Sequence, residues 1–341
     1  MELEELKRRQ LTGQHLLEPA ESLRAVGDLC GVQAQFLSNA FHAISIRSGG
    51  LRPGETDRLV KSWTIRGTVH VFPEQDLPLF LHQGRRHTLR PCDTLEADQW
   101  LTRERKGYFA DLIVDNIAAG IGGREELRAV CTGHGMTEVE AESIFNPWGG
   151  TVRALCESGK ICYKVQEKKE FRLCPPFEPM EEAAARLELA RRYFTFYGPA
   201  TVRDAAYFFA ATQSQVKLWL SQLPVTAQSF GGKTYFSIKN QMDFTHNIPD
   251  CLFLAGFDPL LLGYQKTESL YLPQEHLRKI FTLAGIVMPA VLLHGRVVGK
   301  WKRTGRKLTV TLFEPVSPPD REAVAQAASR CWPDLKSRCF Q

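Results

Sequence analysis

The chain has 341 residues, 43% hydrophobic and 24% charged, the composition of a water-soluble globular protein with room for two to three domains. That balance argues against a disordered chain, and no apolar run reaches the roughly 18 residues a spanning helix needs. A net charge of +5 is mildly basic, which suits a nucleic-acid partner without demanding one.

Residues 1–9 carry no secretory apolar core, so a cytoplasmic location and no membrane partner are expected. The nine cysteines are odd in number, scattered and without a C-x-x-C pair. They read as reduced thiols, not as a disulfide framework or a zinc site.

The first helices are expected at 20–30, 38–47 and 54–61, followed by a strand at 63–72. Between the first two helices the chain reads Gly31-Val32-Gln33-Ala34-Gln35. Neutral amides are poor acids and bases but hold a water well through their carbonyl and NH2 groups. In a helix, residues two apart point to nearly opposite sides, whereas in an extended segment they share a face. Gln33 and Gln35 therefore serve one site only if this stretch is extended or turned; on a helix they are two solvated amides. His42 lies on the next helix and could reach such a site, or be a satisfied, partly buried histidine. Glu18 could be a base, and reads equally as the polar residue before Pro19. Along 63–72 the alternation puts Trp63, Ile65, Val69 and Val71 on one face and Thr64, Arg66, Thr68 and His70 on the other. The polar set faces solvent or a ligand.

Helices are expected next at 105–119, from 123, and at 151–157, the last closed by Ser158-Gly159. A hairpin of 161–165 and 171–173 follows. The pattern repeats with a helix at 181–197 stopped before Pro199, helices at 201–209 and 213–220, and strands at 225–230 and 234–238 around Gly231-Gly232-Lys233. Helices closed by a charged hairpin describe a winged helix-turn-helix. Beyond 250 the texture changes: a buried strand at 251–257, Asp258 as an N-cap with Pro259 at the first helical position, strands at 287–293, 297–301 and 308–313, and a helix at 321–330. The expected fold is α+β, with winged modules over 1–100, 101–178 and 179–248 and a small β-rich domain over 249–341.

Basic residues gather in Arg85-Arg86-His87 with Arg90, Arg103 with Arg105-Lys106, Lys168-Lys169 with Arg172, and Lys300-Trp301-Lys302-Arg303 with Arg306-Lys307. Each alone is an ordinary solvated face. Clusters at hairpin tips suit phosphate contacts, which makes Lys302, Arg303 and Arg306 candidates. The sequence has no Walker loop, dinucleotide fingerprint, G-x-S-x-G or H-E-x-x-H, and its histidines lack metal-ligand spacing. No cofactor or metal is expected.

The segments Gly31–Gln35, Trp63–His70, Phe257-Asp258-Pro259 through Gly263-Tyr264, and Gly295–Trp301 together resemble the AlkZ-like family of winged-helix DNA glycosylases. They lie towards both ends of the chain, so the resemblance covers nearly all of it. The family's catalytic motif is glutamine, an apolar residue, glutamine, which Gln33 and Gln35 match without departure. The resemblance implies excision of alkylated purines, notably N7-alkylguanine, from double-stranded DNA, and in some members unhooking of interstrand crosslinks. An N7-alkylated base already carries positive charge, so it needs a placed water more than a strong acid. With no lysine near the motif to form a Schiff base, no lyase activity is expected. Arg66, Thr68, His70 and His42 would line the site or grip the backbone, and the protein is expected to be a monomer. The rival reading is a non-catalytic winged-helix regulator. Such proteins usually bind as symmetric dimers, which three unlike modules fit poorly.

Overall fold

The computed structural model describes residues 2–84, 95–146, 149–239 and 242–340. Its contacts divide the chain into two compact units, residues 1–53 with 189–341 and residues 54–188. The architecture is mixed, with helices and antiparallel sheets in both units. Among the described residues no helix is long and apolar enough to cross a membrane, and the described cysteines carry no disulfide. The Arg85-Arg86-His87 and Arg90 cluster lies outside the described residues.

In the unit formed by both ends of the chain, the opening helix Leu3–Gly13 buries Leu6, Gln10 and Leu11. Its last residue must be small, because a Cβ on Gly13 would lie 2.4 Å from the Phe196 carbonyl oxygen. Gln10 and the buried Gln14 just beyond the helix lie four residues apart and share its face. Gln10 donates to the Pro199 carbonyl and accepts from Tyr271 at 3.0 Å, while Gln14 donates to Tyr264 at 3.0 Å. Tyr193, Tyr197 and Tyr264 each give their hydroxyl proton to a backbone carbonyl, those of Gly263, Leu29 and Tyr197. A polar core of this kind holds only when its groups find partners, and most here do.

The same unit holds a five-stranded sheet in the order Ser337–Phe340, Lys307–Leu312, Arg296–Thr304, Ala290–Leu293, Cys251–Leu254. Only the pairing of Lys307–Leu312 with Ser337–Phe340 is parallel. Helix Pro318–Cys331 is capped by the Ser317 hydroxyl and packs Val324, Ala327 and Ala328 onto Phe253, Val291, Leu308 and Val310. Helices Val202–Phe209 and Gln213–Leu220 both start from threonine capping boxes. The hairpin Val225–Phe230 with Lys233–Ile238 turns on Gly231 and Gly232, both in the left-handed region, as a tight two-residue turn requires. The edge strand Ser337–Phe340 has no signal in the sequence, since two exposed residues followed by two half-buried ones give no alternation to read.

In the other unit a sheet runs Val69–Pro73, Leu59–Trp63, Ile161–Tyr163, Phe171–Leu173, with each neighbouring pair antiparallel. Its core gathers Phe109, Ile113, Leu127, Ile144, Leu155 and Ile161. Helices Arg103–Ala118, Arg124–Gly133 and Gly150–Glu157 fall where the sequence placed them, and Glu138–Ile144 is an additional helix opened by a Thr137–Glu140 capping box. Lys106 and Asp98 form a buried ion pair at 2.8 Å.

Two expectations fail here. Residues 54–61 are not a helix: a single 3-10 turn, Glu55–Arg58, leads directly into strand Leu59–Trp63. The expected strand 63–72 is two strands, because residues 64–68 reverse the chain with Arg66 at φ 58° and Gly67 at φ 63°. The polar alternation therefore does not mark one wet face. Thr64 and His70 are buried and lie 3.0 Å apart, Thr64 Oγ1 to His70 Nδ1.

Candidate active site

The Gln33–Gln35 segment is not helical: it is strand up to Gln33 and bends at Gln35, which meets the condition for one shared site. Helix Ser22–Asp28 ends at Leu29, and Cys30 and Gly31 then take φ 56° and 77°, a left-handed exit that breaks the helical path. Val32 and Gln33 are strand, and helix Leu37–Ser48 begins only after Phe36. Gln33 is buried and Gln35 exposed, with Val32 and Ala34 packed inward. The side chains meet: Gln33 Nε2 donates to Gln35 Oε1 at 3.3 Å. An amide that donates becomes a better acceptor at its own carbonyl, and one that accepts becomes a better donor at its NH2. The pair is thus a polarised amide couple with one buried and one solvent-facing member.

The loop 255–258 supports this segment. The ring of Phe36 stacks on Phe257, with centroids 5.9 Å apart and planes at 25°. Gly256 lies against Asn39, where a Cβ would meet Asn39 Nδ2 at 2.6 Å. Asp258 caps helix Pro259–Leu262 by accepting from Leu260 N at 2.9 Å, the N-cap role its sequence context indicates. It also accepts from Ala255 N and takes both terminal nitrogens of Arg47, at 2.6 and 3.1 Å. Arg47 and Asp258 are both completely buried. Sequence reasoning missed Arg47 and the Phe36–Phe257 stack. The available signals were the arginine in the last turn of the helix after the motif and the Phe-Asp-Pro triplet.

His42 is on that helix, but its ring is packed into the sheet: it stacks on Trp332 at 5.4 Å, meets Trp301 edge-on, and its Nε2 donates to the Phe253 carbonyl at 2.7 Å. Burial lowers its pKa below 6.5, and the bond to Phe253 offsets this only in part. Glu18 is exposed. Arg66, Thr68 and His70 belong to the other unit, on the turn and strand of the Leu59–Pro73 hairpin. His70 Nδ1 lies 3.1 Å from the Thr68 carbonyl, which only accepts, so that contact calls for a proton on Nδ1. The Arg153 guanidinium stacks over Trp63 at 4.7 Å, and a Cβ on Gly67 would approach it to 2.6 Å.

At the far end of the sheet, Thr304–Lys307 closes the hairpin that carries the last basic cluster. Lys302 is exposed. Arg303 and Arg306 converge on Asp334: Arg303 Nη2 reaches its carboxylate at 2.8 Å and Arg306 Nε its carbonyl at 2.6 Å.

The chain is thus mixed α/β, with a non-helical paired-amide segment ahead of a helix, and its family makes it a DNA glycosylase, an enzyme that hydrolyses N-glycosyl bonds. The family model "DNA glycosylase AlkZ-like" matches residues 26–332, and the chain belongs to that family. Membership removes the non-catalytic regulator. Among curated relatives, the interstrand DNA cross-link repair glycosylase of Streptomyces sahachiroi is 26% identical over 89% of this chain and 90% of its own. The solved structure of Streptomyces sahachiroi DNA glycosylase AlkZ superposes with a TM-score of 0.75 at 20% identity. The match covers 100% of this chain and 99% of that one, a likeness of fold.

Proposed function

We propose that the protein is a monofunctional glycosylase for N7-alkylated guanine in duplex DNA, and that Gln33 and Gln35 place the attacking water. The observation that carries this reading is the direct amide contact of the two side chains across a non-helical segment, strand at Gln33 and bend at Gln35. Each amide oxygen has two lone pairs, and the Gln33–Gln35 bond uses one of those on Gln35. The couple can accept a hydrogen bond from a water and turn carbonyl oxygen towards an electron-poor sugar.

The C1′–N9 bond breaks with its electron pair leaving on the alkylated base, which departs neutral because it was cationic when bound. The water oxygen bonds to C1′ and releases a proton to solvent or to a backbone phosphate. The products are an abasic sugar with a hydroxyl at C1′ and the free modified base. An amide keeps no proton, so the scheme needs an already activated leaving group; neutral, undamaged bases stay in place.

The crosslink-repair name of the Streptomyces relative extends the reading to interstrand crosslinks. A crosslinked guanine stays tethered to the opposite strand and resists full extrusion, so an open DNA-lining surface suits it better than a closed pocket. We read the helices closed by hairpins as winged modules over 1–100, 101–178 and 179–248, with 249–341 as a β-rich domain, working as a monomer. Lys302, Arg303 and Arg306 are assigned to phosphate, and Arg66, Thr68 and His70 to the backbone near the lesion. His42 supports the site through its helix.

The test is release of free base from a duplex carrying N7-methylguanine. Wild type is expected to release it and leave an alkali-labile abasic site. Gln33→Ala and Gln35→Ala should each slow release about 10²- to 10³-fold, the scale of losing one preorganised polar group at a reacting centre. No release by wild type, or unchanged release by both variants, overturns the proposal.

A further inference from the structure

We infer that Phe36 is a DNA-stacking plate: its exposed ring face packs against a nucleobase flanking the lesion while Gln33 and Gln35 face the sugar. The inference rests on the glycosylase reading of the glutamine pair and adds to it a binding residue of defined chemistry.

Phe36 follows Gln35 directly and is the residue from which helix Leu37–Ser48 starts, so its position is tied to the glutamines by one peptide bond. Phe36 is 46% exposed, although it lies in a segment where Val32, Ala34 and Leu37 are all buried. A large aromatic left half in water is unremarkable alone. What sets this one apart is the rigidity behind it. The ring of Phe257 backs it in a stacked arrangement and is itself only 5% exposed.

Phe257 holds φ at 57°, a left-handed conformation that a bulky side chain rarely adopts. Three contacts keep it there. Phe257 N donates to the Val287 carbonyl at 3.2 Å. Asp258 ties together Ala255 N, Leu260 N and the Arg47 guanidinium. Gly256 lets the loop close onto Asn39, one turn into the helix that Phe36 begins. Strain over-determined by its surroundings gathers where geometry is used. Here it fixes one aromatic so that a second stands open beside the candidate catalytic pair.

A flat, uncharged, pre-positioned ring offers nothing to phosphate and much to a base. Every nucleobase has a π face, so stacking tolerates any flanking sequence, as a lesion-directed enzyme requires. Apolar side chains set between base steps also unstack and kink DNA, which would bring a sugar to the glutamines without drawing a tethered base into a closed pocket.

The experiment uses the full chain and a duplex holding a stable abasic analogue next to 2-aminopurine, whose fluorescence rises when its stacking with neighbours is disturbed. The wild-type protein is expected to raise that emission severalfold. Phe36→Ala should abolish the rise and weaken binding about 5- to 100-fold, the range for losing one base–aromatic stack. Phe36→Trp should restore both. Circular dichroism and unfolding of Phe36→Ala check that the helix is intact, and Phe36→Leu, which fills the same space without a π face, covers the case in which alanine unfolds the segment. In Gln33→Ala/Gln35→Ala protein the rise should persist while base release is lost. If the rise and the affinity survive in both Phe36→Ala and Phe36→Leu, the plate is wrong whatever the enzyme excises. If wild type shows the Phe36-dependent rise but releases no N7-methylguanine, the plate stands and the proposed reaction fails.

Discussion

Two uncharged side chains carry the proposed chemistry, and this has a consequence for pH. Amides do not titrate in the working range, so neither Gln33 nor Gln35 adds a limb to a rate profile. Base release measured from about pH 6.5 to 9 should be flat, in contrast to the bell shape that paired acid and base groups produce. A clear inflection in that window would implicate a titrating catalyst and remove the amides from the leading role. The other decisive pair is Arg47 with Asp258. Both charges are fully buried and share two hydrogen bonds, while Asp258 also accepts from two backbone N–H groups. Removing one partner leaves the other charge buried without compensation, at a cost of about 3–5 kcal/mol. Arg47→Met should lower the denaturant midpoint accordingly, and base release should fall with it because the loop behind Phe36 loses its anchor. A stable Arg47→Met protein with normal release would separate the pair from the site.

Among the elements, the loop 255–258 is sensitive to a single added atom. Gly256→Ala places a methyl 2.6 Å from Asn39 Nδ2 and 3.1 Å from the Val287 carbonyl oxygen, so loop or helix must give way. The expected cost is about 1–3 kcal/mol, as for other overpacked sites, with slower base release; an unaffected enzyme would show that the loop tolerates displacement. The sequence made parts of this arrangement legible and hid others. Asp258-Pro259 announces its own helix start, and Gly231-Gly232 announces its hairpin, because caps and tight turns depend on residues adjacent in the chain. Over 63–72 the sequence is deceptive because the alternation of Thr64, Arg66, Thr68 and His70 continues through a reversal, and only Gly67 marks it. The non-helical form of Gln33–Gln35 was a condition that the motif imposed, not a pattern that it displayed. Arg47 and Asp258 are 211 residues apart, and no local periodicity links them.

The 54–188 unit should be the more exposed to acid. Burial pushes against the charge of Asp98, but the Lys106 ammonium, the Ser143 hydroxyl and the N–H groups of Trp100 and Leu101 outweigh it and hold the carboxyl at about 2. Glu140 is brought to about 2 chiefly by its hydrogen bond with Arg105. Both folded values lie below the unfolded ones, near 4. The stabilisation is therefore fully present above that and is lost as pH falls from about 4 through 2. Acid titration followed by circular dichroism should show unfolding in that window. Lys106→Met should move its onset upward, and an unmoved onset would mean that Asp98 is not a linked group.

For the molecule as a whole, charge decides how it meets DNA. A net charge of +5 is modest, so affinity depends on where cations are placed. At the Arg296–Thr304 and Lys307–Leu312 hairpin, Asp334 engages both Arg303 and Arg306. Lys302 stands exposed on the same hairpin. On duplex DNA each neutralised phosphate contributes about −0.9 to the slope of log affinity against log salt. If this hairpin meets the backbone as proposed, Lys302→Ala should make that slope shallower by about 1 and weaken binding to damaged and undamaged duplex alike. Asp334→Asn should act in the opposite direction. It removes the anion that competes with phosphate for two guanidinium groups, so affinity should rise at low salt and the slope should steepen. Neither change should alter the ratio of binding to damaged over undamaged DNA, because phosphate contacts carry no lesion information. Salt titrations showing both slopes unchanged would take the hairpin off the DNA and leave the search for the phosphate surface to the remaining basic clusters.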